Sequence, residues 1–139
     1  MALNRAIEAE VIVVEGWLFD YMLDDVVAEI KRGRYSVVLI SGFENDFRTA
    51  DEQAKFNSVA SSATYLRERL IEKGIDEALL QAVAAPKTKH HRTYSCAVAI
   101  KVWLIAHNID AVNVLSSGTH GRKTYVIYRR VLGEDIKAG

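Results

Sequence analysis

Apolar residues recur in two alternating periods along this chain. Short continuous runs rich in β-branched residues are separated by longer stretches in which apolar positions return every three or four residues. The first run, residues 11–14 (V-I-V-V), ends on Glu15-Gly16-Trp17 and predicts a strand buried on both faces. Asp20 is placed to cap a helix with Met22, Leu23, Val26, Val27 and Ile30 on one side. Lys31 and Arg32 suit the negative end of that helix, and Gly33 stops it. Residues 36–40 predict a second strand closing on Ser41-Gly42. Residues 43–58 are polar and charged, with Phe43, Phe47 and Phe56 spaced through them, and read as a long loop or a short helix on a loop. Helical spacing returns from Val59 (Ala63, Leu66, Leu70, Ile71) and stops at Gly74, with a turn over 75–78. A weaker third strand over 79–85 is ended by Pro86, the only proline. Residues 87–92 form a basic loop, K-T-K-H-H-R, after which Thr93 can cap a helix over 94–107. That helix is apolar almost all round, so it is expected to be packed on both sides and to end near Asn108 or Asp110. Residues 112–115 predict the fourth strand, Ser116-Ser117-Gly118 a break, and residues 120–132 a last helix closed by Gly133.

Strands alternating with helices at crossover spacing predict an α/β fold. The expected form is a Rossmann-like, doubly wound three-layer sandwich in one domain, residues 1–139, with a mainly parallel sheet. Residues 134–139 stop where a fifth strand would begin, so the sheet has four or five strands, or the chain is trimmed. Numbering the four runs 1 to 4, the orders 3-2-1-4 and 2-1-3-4 both fit. The first is preferred because it sets Glu15 beside His120 across the crevice where strand order reverses.

Composition narrows the partners. The chain has 139 residues, half of them apolar, with 18 basic and 18 acidic residues and zero formal net charge. No global field therefore draws it to nucleic acid or to a membrane. The single Cys96 cannot form an internal disulfide and points to a reducing compartment, and without a second cysteine no zinc site is suggested. The N-terminus lacks a basic start followed by an apolar core. The longest apolar stretch, residues 96–106, is interrupted by Lys101 and too short to span a bilayer. A cytoplasmic, soluble protein is the expectation.

Candidate chemistry gathers at the strand ends. In an open α/β sheet ligands bind outside the carboxyl ends of the strands, and here all four ends are small, polar or charged. The richest stretch is residues 111–124, where a strand, a glycine turn and a helix N-terminus follow one another. Backbone N–H groups around Ser117, Gly118 and Thr119 and a positive helix end converge there, with Ser116, His120, Arg122 and Lys123 adding donors. His120 at that helix end is kept neutral and suits a general base, or it acts as an anion donor. Glu15 ends a buried strand, where it binds a ligand hydroxyl or amine, acts as base, or forms a structural salt bridge to Arg92 or Arg122. Arg92 before Thr93 and Tyr94 reads as an anion clamp at a second helix N-terminus. Trp17 reads as packing, with ring stacking on the ligand as the alternative. His90 and His91 read as loop charges, and His107 as a residue favoured by the last helical turn. No G-x-G-x-x-G follows the first strand, and neither a Walker G-x-x-x-x-G-K nor a G-x-S-x-G elbow occurs.

A strand ending in E-G-W, a strand ending in S-G, R-T-Y at a helix start and S-x-x-H before the last helix occur in that order over residues 11–132. In these features the chain resembles the YdcF-like family of bacterial proteins, which includes SanA and ElyC, and its E-G-W variant looks like the soluble branch. The resemblance implies a Rossmann-like domain whose activity is generally unassigned, with S-adenosylmethionine binding reported for one member and cell-envelope biogenesis tied to the anchored ones. Residue by residue it implicates Glu15, Gly16, Ser41, Gly42, Arg92, Thr93, Tyr94, Ser117, His120 and Lys123. Where many relatives carry T-Y-E-N this chain has Thr93-Tyr94-Ser95-Cys96, and Lys123 stands where they have arginine, keeping the charge without the bidentate fork.

Three functions fit these residues. One is a binding domain or enzyme for a small anionic metabolite, nucleotide-like or phospho-sugar, with Glu15 and His120 as the acid/base pair if chemistry occurs. A second is a non-catalytic regulatory or interaction domain whose partner surface carries Phe43, Phe47 and Phe56. A third, ranked lower because Glu15-Gly16-Trp17 offers a single glycine, is an S-adenosylmethionine-binding protein.

Overall fold

The computed structural model describes residues 2–3, 7–16, 22–43, 61–86, 88, 91–116 and 120–139, with the backbone alone for Ala2, Leu3 and His120. In chain order the elements are β1 (Ala2–Leu3), β2 (Val11–Glu15), α1 (Leu23–Gly33), β3 (Val37–Phe43), α2 (Ser62–Glu72), a 3-10 turn (Glu77–Leu79), β4 (Leu80–Ala85), α3 (Arg92–Ala106), β5 (Ala111–Ser116), α4 (His120–Leu132) and β6 (Lys137–Ala138).

The four long strands are parallel and lie in the order β4-β3-β2-β5, which is the expected 3-2-1-4. Register is regular: Val11 faces Val37 and Glu15 faces Ser41 across β2 and β3, while Val14 faces Leu115 across β2 and β5. The outer edge of β5 is shared. β1 pairs antiparallel with its last two residues and β6 parallel with its first two. The C-terminal residues thus supply the short fifth parallel strand, extended by hydrogen bonds from Val114 N to Gly139 O and from Gly139 N to Val112 O, both 2.9 Å. Asn113, buried in the middle of β5, ties down the N-terminal segment. Its side chain accepts from Ile7 N and donates to Ile7 O and the Tyr35 hydroxyl, each at 2.9 Å.

The continuous apolar runs are continuous because both faces of the sheet are covered. Ile12, Val14, Val38 and Ile40 point into a core with Leu23, Val26 and Ile30 of α1 and Ala63, Leu66 and Leu70 of α2. Their neighbours Val11, Val13, Leu39, Val112 and Val114 point the other way, onto Ala97, Ile100 and Leu104 of α3 and Tyr128 and Leu132 of α4. This is a doubly wound three-layer α/β sandwich of Rossmann-like form. Among the described residues no helix is long and apolar enough to cross a membrane.

Local differences from expectation have local causes. Asp20, the expected cap of α1, lies outside the described residues, and Met22 occupies the position before the helix with no side-chain cap bond. Gly33 ends α1 for space rather than for a left-handed turn: a Cβ there would overlap the Tyr35 ring, and the positive φ of 51° belongs to Arg34. β3 runs on through Ser41 and Gly42 to Phe43. Ser61 caps α2, its hydroxyl accepting from Thr64 N at 3.0 Å, and Val59, the expected start of the helical spacing, lies outside the described residues. α3 begins at Arg92, behind His91 at φ 52°, so Thr93 lies within its first turn rather than at the cap. His107 closes α3, its Nδ1 2.8 Å from Trp103 O and its ring stacked on Trp103 at 3.8 Å.

The largest correction concerns α3. Expected to be packed on both sides, it buries only Cys96, Ala97, Ile100 and Leu104, and among the described residues its outer side is open: Tyr94, Val98, Val102 and Ile105 are exposed. The sheet covers one face of a helix, and nothing in the described chain covers the other.

Candidate functional site

Strand order reverses between β2 and β5, and there the carboxyl ends of both strands carry buried polar side chains. Glu15, Ser41, Ser116 and Thr124 are each at most 3% exposed. Glu15 is the centre. Ser116 Oγ donates to its Oε2 at 2.6 Å and Thr124 Oγ1 donates to its Oε1 at 3.0 Å. Those two bonds join β2, β5 and α4 at one carboxylate. Hydroxyls that donate to a carboxylate favour its charged form. Charge-assisted bonds of this kind contribute about 1.5–3 kcal/mol each and offset the several kcal/mol it costs to take a carboxylate out of water.

The first turn of α4 explains why Thr124 is available. Thr124 lies four residues after His120, and Tyr128 four further on, so both face the sheet in one row. Tyr128 is fully buried, and among the described residues its hydroxyl has no hydrogen bond of ordinary geometry, with the Ser41 hydroxyl the polar group near it. Burial, then the neighbouring Cys96 and Glu15, push its pKa well above the ordinary phenol value, with the nearby Ser41 hydroxyl pulling it partly back. Arg122 is exposed on the flank of α4 away from Thr124, and Lys123 is exposed beside it.

Two glycines at the strand ends have steric reasons. Gly16 N donates to Ser41 O at 2.7 Å, and a Cβ at Gly16 would overlap that carbonyl oxygen. Gly42 lies under the start of α2, where a Cβ would meet Ala63 N and Ser62 Oγ. Ser62 Oγ in turn accepts from Phe43 N at 3.0 Å. A third helix N-terminus, that of α2, therefore abuts the same edge of the sheet as α3 and α4.

At the start of α3 the Arg92 guanidinium lies 4.6 Å from the centre of the Phe43 ring, a cation–π contact. Phe43 is buried against Ala85 and Cys96, so it is core and not part of an exposed partner surface. Thr93 is half-buried and Tyr94 is exposed. The sheet thus brings Glu15, Gly16, Ser41 and Gly42 together, with Ser116 and Thr124 as the hydroxyl partners of Glu15. The expected alternative of a salt bridge from Glu15 to Arg122 is not found: Arg122 makes no ion pair among the described residues. Trp17, His90, Ser117, Gly118, Thr119, Phe47 and Phe56 lie outside the described residues, as does the His120 side chain.

Sequence reasoning missed Thr124, Tyr128 and Ser62 as parts of this region. The signal was present for two of them. A threonine and a tyrosine at four-residue steps from His120, on the face that also carries Leu132, put polar atoms on a buried stripe. A comparison with protein-family models and with curated proteins finds no match for the chain.

Proposed function

We propose that this chain binds a small anionic metabolite, nucleotide-like or phospho-sugar, in the crevice outside the carboxyl ends of β2 and β5. The observation that carries the reading is the buried Glu15 carboxylate at the switch point, fixed by Ser116 and Thr124. A carboxylate held by two hydroxyls from different elements at the switch point is a preorganised group, as binding and reacting centres require. The resemblance to the YdcF-like family supports the same location, and a bacterial cytoplasm suits a chain whose single cysteine is buried and free. In this reading the N-termini of α3 and α4, with Arg92, Ser117 and Lys123, hold the anion. Glu15 and His120 are the acid/base pair of any reaction that follows.

The test is a thermal-shift screen with nucleotides, sugar phosphates, S-adenosylmethionine and inorganic phosphate. A ligand at a hundred times its Kd stabilises the fold by about 2.7 kcal/mol. A phosphate-bearing hit that disappears in His120→Ala and weakens in Lys123→Ala and Arg92→Ala supports the reading. Silence across the panel, or a hit indifferent to all three changes, overturns it. A hit confined to S-adenosylmethionine replaces the ligand class.

A further inference from the structure

Zero net charge argues against an anionic surface as a partner only if the charges are mixed, and the fold separates them. α3 carries Arg92 and Lys101, α4 carries Arg122, Lys123, Arg129 and Arg130, and neither helix contains an acidic residue. Asp110 is the only acidic residue between Arg92 and Gly133. Both helices cover the same face of the sheet and pack on each other. On that face the outer side of α3 is apolar. Tyr94, Val98, Val102 and Ile105 are 53%, 38%, 65% and 58% exposed, and their four- and three-residue steps set them in one row. On α4 the exposed Val126 lies among Arg122, Lys123, Arg129 and Arg130, all of them exposed.

We propose that this outer face of α3 and α4 docks on an anionic lipid surface, the apolar row entering the headgroup boundary and the basic side chains meeting the lipid phosphates. The inference does not rest on the ligand reading: Arg92 and Lys123 belong to both surfaces, but Val102, Ile105, Arg129 and Arg130 lie toward the C-termini of their helices, away from the strand ends. Each half of the face selects against another occupant. Val98, Val102 and Ile105 gain nothing from a phosphate backbone, and the row carries one aromatic, Tyr94, where a single-strand binder would offer several for stacking. A second copy joined by a two-fold axis would bring the same basic α4 surface toward itself. An anionic bilayer surface accepts both halves, and the cytoplasmic leaflet is the anionic one.

The experiment is co-sedimentation of the whole chain with vesicles of phosphatidylcholine alone and of an equal mixture of phosphatidylcholine and phosphatidylglycerol. Binding is expected to the mixture, to be weak on phosphatidylcholine alone, and to fall as salt rises. Arg129→Gln and Arg130→Gln each weaken it about fivefold. The double variant Val102→Ser/Ile105→Ser weakens it roughly tenfold or more. Both of its positions are more than half exposed, so its melting temperature stays at the wild-type value. Val126→Ser, at another exposed position, repeats the test on α4. Equal binding to the two vesicle types overturns the proposal, as does wild-type binding by the double variant. So does a dimer in light scattering that the double variant converts to monomer, which would give the row to a second copy. Binding to single-stranded DNA without vesicle binding would give the basic residues to nucleic acid, and the proposal would fall.

Discussion

The two helical layers solve the same burial problem and leave opposite surfaces. On one side of the sheet, α1 and α2 are amphipathic and interleave their charges. Glu29 pairs with Arg32, Glu72 with Arg69, Glu68 with Arg67, and Asp24 of α1 reaches Lys73 just beyond α2. On the other side, α3 shows apolar side chains to solvent and α4 shows basic ones. Exposed pairs of the first kind contribute at most about 1 kcal/mol each and mainly keep a surface neutral and soluble. A face whose two helices carry basic residues and no acidic one, beside an exposed apolar row, gains little in stability from either feature. Burial alone accounts for the paired, mixed surface of the first layer and leaves the apolar and basic surface of the second without a folding reason.

Substitutions in the second layer test this contrast. The largest effect belongs to the inner side of α3. Leu104→Ala, at a fully buried position, is expected to lower stability by about 2–5 kcal/mol in urea denaturation. Leu70→Ala on the opposite layer should cost a similar amount, because both leucines are closed in by the sheet. Val102→Ser, two residues before Leu104, should stay within about 0.5 kcal/mol of wild type. If Val102→Ser is as costly as Leu104→Ala, the outer row is covered in the folded protein and the contrast between the layers is lost.

The next effect belongs to α4. Thr124→Val keeps the shape but removes one of the donors to the buried Glu15 carboxylate, at an expected cost of about 1–3 kcal/mol. A variant as stable as wild type at neutral pH would show that the bond contributes no net stability, and would weaken the case for a fixed carboxylate at the switch point.

The smallest effect, and the most specific, concerns Tyr128. Its phenol is buried with no well-formed hydrogen bond among the described residues, only the Ser41 hydroxyl nearby, so Tyr128→Phe should be neutral or stabilising by up to about 1 kcal/mol, against the usual direction for a core tyrosine. The pH dependence follows from the raised pKa. The folded chain keeps this proton at pH values where the unfolded chain has released it. Stability from this group is therefore full below pH 10, the ordinary phenol value, and falls at about 1.4 kcal/mol per pH unit above it. Tyr128→Phe should flatten that slope in denaturation curves measured from pH 9 upward. An unchanged slope would assign the alkaline loss to other groups.

What was legible in the sequence follows from what is local. A short run such as V-I-V-V, β-branched and bounded by turn residues, reads as a strand with both faces covered, so β2, β3 and β5 and the doubly wound class were legible from local pattern. Glu15 was legible because a carboxylate at the end of such a run is costly unless it has partners. Which partners it has was not legible. Ser116 and Thr124 are 101 and 109 residues away, and the bonds depend on β5 lying beside β2 and on the rotation of α4 about its axis. β6 was too short to show a period, and it forms because the edge of β5 is open to it. For α3 the pattern itself carried no direction. A helix apolar almost all round has no preferred side, so only the position of the sheet decided that Leu104 is buried and Val102 is not. Local patterning determines which segments become strands and helices, because each residue's neighbours in sequence set its backbone preference and its period. The meeting of distant polar groups at Glu15, and the separation of charge onto one face, arise only when the sheet fixes which segments lie side by side.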